Sequence, residues 1–252
     1  MKTILITGAT SGFGKAIATL FASNGWKIII TGRREERLLN LQEALRKKYG
    51  VEVLALNFDI RNRDLTLNEL SNLPKEFANV DVLVNNAGLA LGLSSIDEGD
   101  VDEWEQMIDT NVKGMLYAIR AIAPGMRARK SGHIINIGST AGKEAYKNGN
   151  VYCATKHAVE AITKGTRADL LPYNVKVTSV CPGMAETEFS EVRFSGDTNR
   201  AKQVYQGFEP LRPEDIAEVV YFAATRPAHV CLNDVILTPT AQANSFYTER
   251  NN

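Results

Sequence analysis

The sequence predicts a doubly wound α/β fold, with a seven-stranded parallel sheet and helices on both faces. Short runs rich in Val, Ile and Leu alternate with longer amphipathic segments throughout the 252 residues. Most of these runs are almost continuously apolar, as expected for strands that are buried on both faces. A repeated strand, helix, strand order predicts a parallel sheet whose strands are joined by right-handed crossovers.

The predicted strands share β-branched residues and flanking turn residues. They span residues 3–7, 26–31, 51–57, 80–86, 132–138, 175–180 and 234–238. Between them, residues 14–25 have a helical pattern that Gly25 is expected to end. Residues 35–50 place three leucines on one helical face and stop at Gly50.

Domain organisation follows from the same pattern. No low-complexity linker interrupts it, so we expect one domain over residues 1–252. The polar stretch from about residue 185 to 212 lacks a strong pattern, and a long connection in a compact domain is often a lid or binding loop.

Composition excludes several classes of protein. Lys plus Arg and Asp plus Glu number 29 each, so no basic excess indicates a nucleic-acid partner. The three cysteines and three histidines are scattered, which predicts neither a disulfide framework nor a metal site. The N-terminal apolar run and every later one are too short for a signal peptide or a membrane span. We therefore expect a soluble cytoplasmic protein with no membrane partner.

A glycine-rich loop, TGATSGFGKA, follows the first strand and opens the first helix. Its Gly8, Gly12 and Gly14 allow a backbone to approach a pyrophosphate, and the helix N-terminus favours the anion. A plain turn would need one glycine, not three with Thr10 and Ser11 between them. The spacing differs from the phosphate loop of NTPases and from G-x-G-x-x-G, but its position predicts nucleotide binding.

The end of the second strand predicts which dinucleotide binds. In NAD sites an acidic residue about 20 positions after the loop binds the ribose 2′-hydroxyl. Here Arg33 lies 19 residues after Gly14 and is followed by Arg34. Because guanidinium groups suit a phosphate dianion, we predict NADP over NAD. The alternative, stronger for Arg34, is that the arginines only begin a solvated helix.

Tyr152 and Lys156 stand four positions apart, on one face of a predicted helix. A free tyrosine has a pKa of ~10, too high for a base near neutrality. A cation at ~4 Å in an effective dielectric near 20 supplies up to ~4 kcal/mol. That is enough to lower the pKa of the phenol by roughly two to three units. The pair therefore predicts a base and its tuning cation, with packing plus a solvated charge as the alternative.

Several motifs together resemble the short-chain dehydrogenase/reductase family over nearly the whole chain. They are TGATSGFG (7–14), NNAG (85–88), PG (182–183) and the residues Asn111, Ser139, Tyr152 and Lys156 in this order. A narrower likeness is to NADP-dependent 3-hydroxy acid dehydrogenases, which include serine and L-allo-threonine dehydrogenases and malonic semialdehyde reductases. The stretches that carry it are NNAGLALG, HIINIGSTAG, GNVYCATK, TEFSEVRF and RPAHV.

The resemblance implies a Rossmann-like fold and roles for the catalytic residues. Ser139 would donate a hydrogen bond to the substrate oxygen, although a turn cap is its common alternative. Tyr152 would transfer the hydroxyl proton, and Lys156 would also hold the nicotinamide ribose. Asn111 would hold a water that passes protons to Lys156, and an asparagine inside a helix could bend it for this purpose.

The resemblance also implies a set of cofactor contacts. These are Gly8, Thr10, Ser11, Gly12, Phe13, Gly14, Arg33, Arg34, Asp59, Ile60, Asn86, Ala87, Gly88, Tyr152, Lys156, Pro182, Gly183 and Thr187. Asp59 would bind the adenine amine, with Ile60 behind the ring, but an aspartate here could instead cap a helix. Thr187 would contact the carboxamide. Ala185, Cys153 and Lys147 depart from the residues usual in the family.

The substrate is harder to predict. A hydroxy acid carries a carboxylate that one arginine can bind with two hydrogen bonds, and Arg193 in the expected lid is our candidate. A surface arginine on a mobile loop is the alternative. We expect an NADP-dependent oxidoreductase of short 3-hydroxy acids, assembled as a homotetramer by resemblance. The other hypotheses are a broad carbonyl reductase of ketones, dicarbonyls or acyl carrier substrates, and a non-catalytic NADP-binding regulatory protein.

Overall fold

The computed structural model of the chain describes residues 1–194 and 196–251. Ser195, inside the predicted lid, and Asn252 lie outside the described residues. Seven strands form one parallel sheet in the order β3-β2-β1-β4-β5-β6-β7. They are β1 (Thr3–Ile6), β2 (Lys27–Gly32), β3 (Val53–Asn57), β4 (Val82–Asn85), β5 (Gly132–Ile137), β6 (Val175–Pro182) and β7 (Asp234–Leu237). The predicted doubly wound fold is confirmed.

Helices lie on both faces of the sheet. They are α1 (Gly12–Ser23), α2 (Glu35–Tyr49), α3 (Arg63–Ser71), α4 (Val101–Ile108), α5 (Met115–Arg129), α6 (Asn150–Leu170), α7 (Glu188–Arg193), α8 (Thr198–Gln203) and α9 (Pro213–Ala224). A π-helical segment, Asp109–Gly114, joins α4 to α5, and a 3₁₀ turn, Thr140–Gly142, follows β5. Within the described residues, the helices are too short or too polar to traverse a bilayer.

The alternation of side chains along β1 builds two hydrophobic cores. Ile4 and Ile6 pack with Phe21 of α1 on one face of the sheet. Leu5, between them, packs with Met126 of α5 on the other face. All five side chains are fully buried, and each contributes about 1.5–3 kcal/mol through the hydrophobic effect. A strand buried on both faces is why the sequence run is continuously apolar.

Element boundaries follow local capping and pairing. Helix α1 begins two residues before the predicted start and ends before Gly25, whose φ of +75° breaks the helix as expected. Strand β6 runs two residues past its predicted end because Cys181 and Pro182 pair with β7. A sequence pattern cannot register that pairing, because it depends on the neighbouring strand.

The sheet order also fixes where a ligand can bind. Strand β1 pairs with β2 on one side and with β4 on the other, so the strand order reverses here. The loops after β1 and β4 therefore diverge and open a crevice at the carboxyl ends of the strands.

Candidate active site

A cavity of about 580 Å³ occupies this crevice. The predicted site residues that line it are Gly8, Thr10, Ser11, Gly12, Phe13, Arg33, Arg34, Asp59, Ile60, Asn86, Ala87, Gly88, Ser139, Tyr152, Lys156, Pro182, Gly183, Thr187 and Arg193. Gly14 and Asn111 lie behind its wall rather than on it. The volume is in the range of sites for small molecules and cofactors.

The glycine loop is held by close backbone packing. Gly8 has a φ of +68°, and a carbon added there would lie 2.8 Å from the Cα of Ala87. A carbon added to Gly14 would lie 2.6 Å from Asn86 Nδ2 and 2.9 Å from the Cα of Ala9. Gly14 is therefore required for loop packing, which explains why it does not face the cavity.

Asn86 and Thr7 fasten the loop to the end of β4. Asn86 Nδ2 donates to the carbonyls of Thr7, at 2.9 Å, and Gly8, at 3.0 Å. Thr7 Oγ1 accepts from the amides of Asn86 and Ala87, both at 3.0 Å. The sequence prediction placed Asn86 among the cofactor contacts, and the structure also gives its side chain this bracing contact.

Arg34 lies against the glycine loop. Its Nη2 donates to Thr10 Oγ1 at 2.8 Å and to Ser11 Oγ at 2.7 Å. Arg34 is the N-cap residue of α2, and its side chain, although 41% exposed, is bonded to the glycine loop. Arg33 is more open, with 53% of its side chain exposed, and its Nη1 lies 3.9 Å from Asp59 Oδ2. The two guanidinium groups line the same end of the cavity.

Sequence reasoning missed Arg37 and Glu188 beside this pair. Glu188 Oε2 accepts from Arg34 Nη1 at 2.8 Å, and Glu188 Oε1 accepts from Arg37 Nη1 at 2.7 Å. Burial alone would raise the pKa of Glu188, but the two arginines lower it below its usual value. More than 150 residues separate Glu188 from either arginine, so no local pattern could have revealed the contact.

Asp59 does not cap a helix. The N-cap of α3 is Asn62, whose side chain accepts from the amide of Leu65 at 3.1 Å. Asp59 instead accepts from Arg61 Nη2 at 2.7 Å. Burial acts to raise the pKa of Asp59, but the hydrogen bonds from Arg61 and the charge of Arg33 lower it overall.

Ser139 stands two residues beyond β5 and is the N-cap of the following 3₁₀ turn. Its Oγ accepts from the amide of Ala141 at 3.1 Å. The expected alternative of a turn cap is therefore present, but it uses only a lone pair of the hydroxyl. The O–H proton can still be donated into the cavity, so the capping and donor roles are compatible.

Tyr152 and Lys156 lie on α6 and are 8% and 7% exposed. Burial, together with Tyr146, raises the pKa of Tyr152 well above its usual value, and Ser139 and Arg193 only partly oppose this. Burial also lowers the pKa of Lys156 to about 8, although Cys181 and Glu160 act in the opposite direction.

The expected net lowering of the Tyr152 pKa below its usual value is therefore wrong for this arrangement, because burial dominates. Lys156 Nζ lies 6.0 Å from the centre of the Tyr152 ring and donates to the carbonyl of Ile137 at 2.9 Å. The sequence argument assumed a shorter separation and omitted the cost of burying both groups.

Asn111 lies in the π-helical segment between α4 and α5, so the predicted helix distortion is present. Its Oδ1 accepts from the amide of Leu89, and its Nδ2 donates to the carbonyl of Leu89, both at 2.8 Å. Nδ2 also donates to Thr155 Oγ1 at 3.0 Å. These contacts hold the loop after β4 against α6. The role of Asn111 in proton relay stays a prediction.

Arg193, at the end of α7, reaches into the cavity beside Tyr152. Its guanidinium carbon lies 5.6 Å from the centre of the Tyr152 ring, and its Nη1 donates to Tyr146 Oη at 2.9 Å. Nε donates to the carbonyl of Gly92 at 3.2 Å. Arg193 is half-buried, unlike the surface arginine of the alternative interpretation. Tyr146 was missed by the sequence prediction, although the neighbouring Lys147 was noted as a departure from the family.

The remaining predicted positions make no unusual contacts, and Thr187, Ala185 and Lys147 line the cavity. Thr187 is the N-cap of α7 and accepts from the amide of Phe189 at 3.1 Å. The carbonyl of Ala185 accepts from Tyr205 Oη at 2.7 Å. Cys153 is buried in the hydrophobic cluster that includes Tyr152, while Lys147 lines the cavity on its exposed side.

Comparison with known proteins agrees with this geometry. Residues 2–197 match the short chain dehydrogenase family. The NADP-dependent 3-hydroxy acid dehydrogenase YdfG of Salmonella typhi is 49% identical over 95% of this chain and 96% of its own length. The NADP-dependent 3-hydroxy acid dehydrogenase of Schizosaccharomyces pombe is 43% identical over 99% of this chain and 96% of its own.

A solved structure is also similar to this chain. The closed form of a serine dehydrogenase complexed with NADP⁺ superposes with a TM-score of 0.92 and 45% identity, covering 99% of this chain and 100% of that one. The family match and these identities over almost the full length confirm the resemblance predicted from the motifs. The chain belongs to the short-chain dehydrogenase family.

Proposed function

We propose that this chain is an NADP-dependent dehydrogenase that acts on the 3-hydroxyl or 3-oxo group of short 3-hydroxy acids. The observation that carries the proposal is the convergence of Ser139, Tyr152, Lys156 and Arg193 on one cavity, which has Arg33 at its far end. The names of the similar bacterial and yeast enzymes support the same substrate class.

The residues around the cavity fit NADP. Gly12 has a φ of +49° and opens α1, so the N-terminal amides of that helix can face a pyrophosphate. The hydroxyl of Ser11 accepts from Arg34 and does not cap α1. Arg33 and Arg34 would hold the 2′-phosphate, and Lys156 would hold the nicotinamide ribose.

Bound NADP would supply or accept the hydride; the protein supplies the proton transfer and the orientation. The buried Tyr152 keeps its proton at neutral pH, so it can donate it to the oxygen of a carbonyl substrate during reduction. In the dehydrogenation direction Tyr152 must first lose that proton, which favours alkaline conditions. Ser139 donates a hydrogen bond to the same substrate oxygen and orients it.

Lys156 contributes a positive charge beside the reacting oxygen. It is held by the Ile137 carbonyl and is buried, so its field is weakly screened by water. The charge favours the phenolate that forms when Tyr152 gives up its proton, but it does not outweigh burial, which keeps the pKa of Tyr152 raised. Asn111 fixes the loop at Leu89 and keeps this wall of the site in place.

Arg193 gives the site its preference for acids. Its Nη1 donates to a neutral phenol, Tyr146, and no carboxylate of the described residues forms an ion pair with it. A substrate carboxylate could therefore accept two hydrogen bonds from the guanidinium beside Tyr152. This arrangement separates the bound carboxylate from the reacting hydroxyl, as a 3-hydroxy acid requires.

We also propose that residues 185–212 act as the substrate lid of one catalytic domain. The main chain of Arg193 accepts from the amide of Gly92 at 3.1 Å, which joins α7 to the loop after β4. Glu188 joins the other end of α7 to Arg34 and Arg37. Assembly as a homotetramer and a cytoplasmic location are further proposals from the resemblance, which sedimentation and cell fractionation would test.

The proposal is tested by the Arg193→Met variant, assayed with 3-hydroxypropionate, L-serine and an uncharged secondary alcohol. We expect kcat/KM to fall about 10- to 100-fold for the acids, because charged hydrogen bonds of about 1.5–3 kcal/mol are lost. The uncharged alcohol should change less than about threefold.

Arg200→Met is the matched control. Arg200 lies on α8 in the same segment and stacks on Phe194, 4.5 Å from the ring centre, without lining the cavity. Its variant should retain activity on all three substrates. Equal losses on acids and on the neutral alcohol in Arg193→Met would contradict the carboxylate role. If the wild-type protein turned over no hydroxy acid and no carbonyl compound, the proposal that it is an enzyme would be contradicted.

A further inference from the structure

A buried polar cluster lies directly behind the catalytic residues. Its centre is Glu160, on α6 one helical turn after Lys156 and only 5% exposed. A buried carboxylate is costly unless every oxygen is paired, so its partners must account for its presence. These partners come from β6 and from the segment that follows β5.

The first partners are on β6. Ser179 Oγ donates to Glu160 Oε1 at 2.6 Å, and Cys181 Sγ lies 3.2 Å from the same oxygen. Burial raises the pKa of Cys181 to about 12, so at neutral pH the thiol keeps its proton and can donate it. These two contacts fix one oxygen of the carboxylate against the sheet.

The second partner is Lys143, which follows the 3₁₀ turn after Ser139. Its Nζ donates to Glu160 Oε2 at 2.5 Å and to Asp234 Oδ2, at the start of β7, at 2.6 Å. Burial alone would lower the pKa of Lys143, but these two carboxylates raise it overall. Glu160, Cys181 and Asp234 approach within 4.8 Å of one another, but Lys143 already supplies the cation among them.

Glu160 also packs against the 3₁₀ turn that follows Ser139. A carbon added to Gly138 would lie 2.7 Å from Glu160 Oε1, and one added to Gly142 would lie 3.2 Å from Glu160 Cγ. The added carbon at Gly142 would also lie 2.7 Å from the carbonyl of Lys156. The two glycines on either side of Ser139 therefore lie directly against Glu160 and the backbone of the catalytic helix.

We propose that Glu160 is a positioning residue, whose carboxylate holds the turn that carries Ser139 against the helix that carries Tyr152 and Lys156. This inference rests on the catalytic roles proposed above for those three residues. The Lys143–Glu160 ion pair closes the turn, and the Ser179 and Cys181 donors anchor it to β6. The spacing between the Ser139 hydroxyl and the Tyr152 phenol then depends on one buried carboxylate.

The carboxylate of Glu160 also affects the protonation of Lys156. The titratable groups around Glu160 are Lys143 from the turn, Cys181 from β6, Asp234 from β7 and Lys156 from its own helix. A negative charge one turn from Lys156 favours the ammonium form, in opposition to burial. Loss of that charge should therefore make Lys156 lose its proton at lower pH.

The test is Glu160→Gln, assayed for NADPH-dependent reduction of malonic semialdehyde across the alkaline range. We expect kcat at neutral pH to fall about tenfold through misplacement of Ser139, with the KM for NADPH within about twofold. At high pH, kcat should fall as Lys156 loses its proton, and this alkaline limb of the kcat–pH profile should move down by about half to one pH unit. A merely structural role for Glu160 would lower thermal stability without this pH shift.

Two further variants complete the test. Asp234→Asn is the matched control, because Asp234 also pairs with Lys143 but is 40% exposed; its alkaline limb should not move. Lys143→Met should move the alkaline limb to higher pH, since it removes a cation from the cluster. This variant replaces Glu160→Gln in the test if Glu160→Gln does not fold. An unchanged limb in the Glu160 and Lys143 variants, or an equal shift in Asp234→Asn, would overturn the inference.

The proposed catalytic roles are tested separately by Tyr152→Phe. If that variant keeps its turnover, the proposed function itself fails, whatever the Glu160 variant shows. If Tyr152→Phe is inactive and Glu160→Gln keeps both its kcat and its alkaline limb, only the positioning role is rejected.

Discussion

Lys156 Nζ donates a hydrogen bond to the main-chain carbonyl of Ile137 at 2.9 Å. The contact joins α6 to the end of β5, two residues before Ser139. A carbonyl carries no net charge, so it only partly replaces the hydration that a buried ammonium loses. This explains why burial lowers the pKa of Lys156 to about 8.

The first prediction concerns stability and pH. The folded pKa of Lys156 is lowered to about 8 from 10.5, so between these values the unfolded chain binds more protons. This residue should therefore make the free energy of unfolding rise with pH in that window. Below it, the buried charge costs about 3 kcal/mol. Lys156→Met should flatten this part of the curve in urea unfolding, whereas identical pH dependence in both proteins would contradict the assignment.

The second prediction concerns proton transfer. Tyr152→Phe removes the phenolic proton but keeps the ring, so turnover should fall by about 10²–10⁴-fold. NADPH binding, followed by nucleotide fluorescence, should stay within about twofold. Tyr146→Phe is the control, because Tyr146 lies beside Arg193 without a proposed proton-transfer role. If the two variants lose the same kcat, Tyr152 has no special role.

The third prediction concerns reaction direction. Since burial raises the pKa of Tyr152, the phenol remains protonated throughout the neutral range. Carbonyl reduction should be nearly independent of pH from about 6 to 7.5, while alcohol oxidation should rise about tenfold per pH unit. Initial rates in both directions, at saturating cofactor, measure this. A fall in oxidation rate over the same range would show that another group controls it.

The fourth prediction concerns cofactor choice. Arg33→Ala should raise the KM for NADP about tenfold or more, because a charged contact to the 2′-phosphate is lost. The KM for NAD should change less than about twofold. Arg37→Ala is the comparison, since the Arg37 guanidinium bonds Glu188. A wild-type enzyme that prefers NAD over NADP would contradict the role of Arg33.

The fifth prediction concerns loop packing. Gly14→Ala would place a carbon 2.6 Å from Asn86 Nδ2 and 2.9 Å from the Cα of Ala9. The backbone must move, so we expect a loss of about 1–3 kcal/mol in unfolding free energy and weaker NADPH binding. Gly165→Ala, on the exposed side of α6 where an added carbon has no neighbour within 4 Å, should be neutral or stabilising. Equal stability in the two variants would contradict the packing role.

The local parts of the site were accessible from sequence. The glycine loop, the arginines after β2 and the Tyr152–Lys156 spacing each depend on neighbours along one loop or one helix. Ser139 was predicted because the carboxyl end of a parallel strand is where such folds bind ligands. Asp59 was predicted to bind adenine, and the alternative of a helix cap is excluded because Asn62, three residues later, takes that position.

The order of strands and helices along the chain, the family and the chemical groups expected at the site could all be predicted from the sequence alone. Apolar periodicity and turn residues act over a few positions, so they are visible without the fold. Three features could not be predicted without the folded structure: Glu188 joins Arg34 to α7, Glu160 lies behind Ser139, and Tyr152 has a raised pKa. These features depend on burial and on contacts between distant segments, and both arise only when the sheet and its helices pack together.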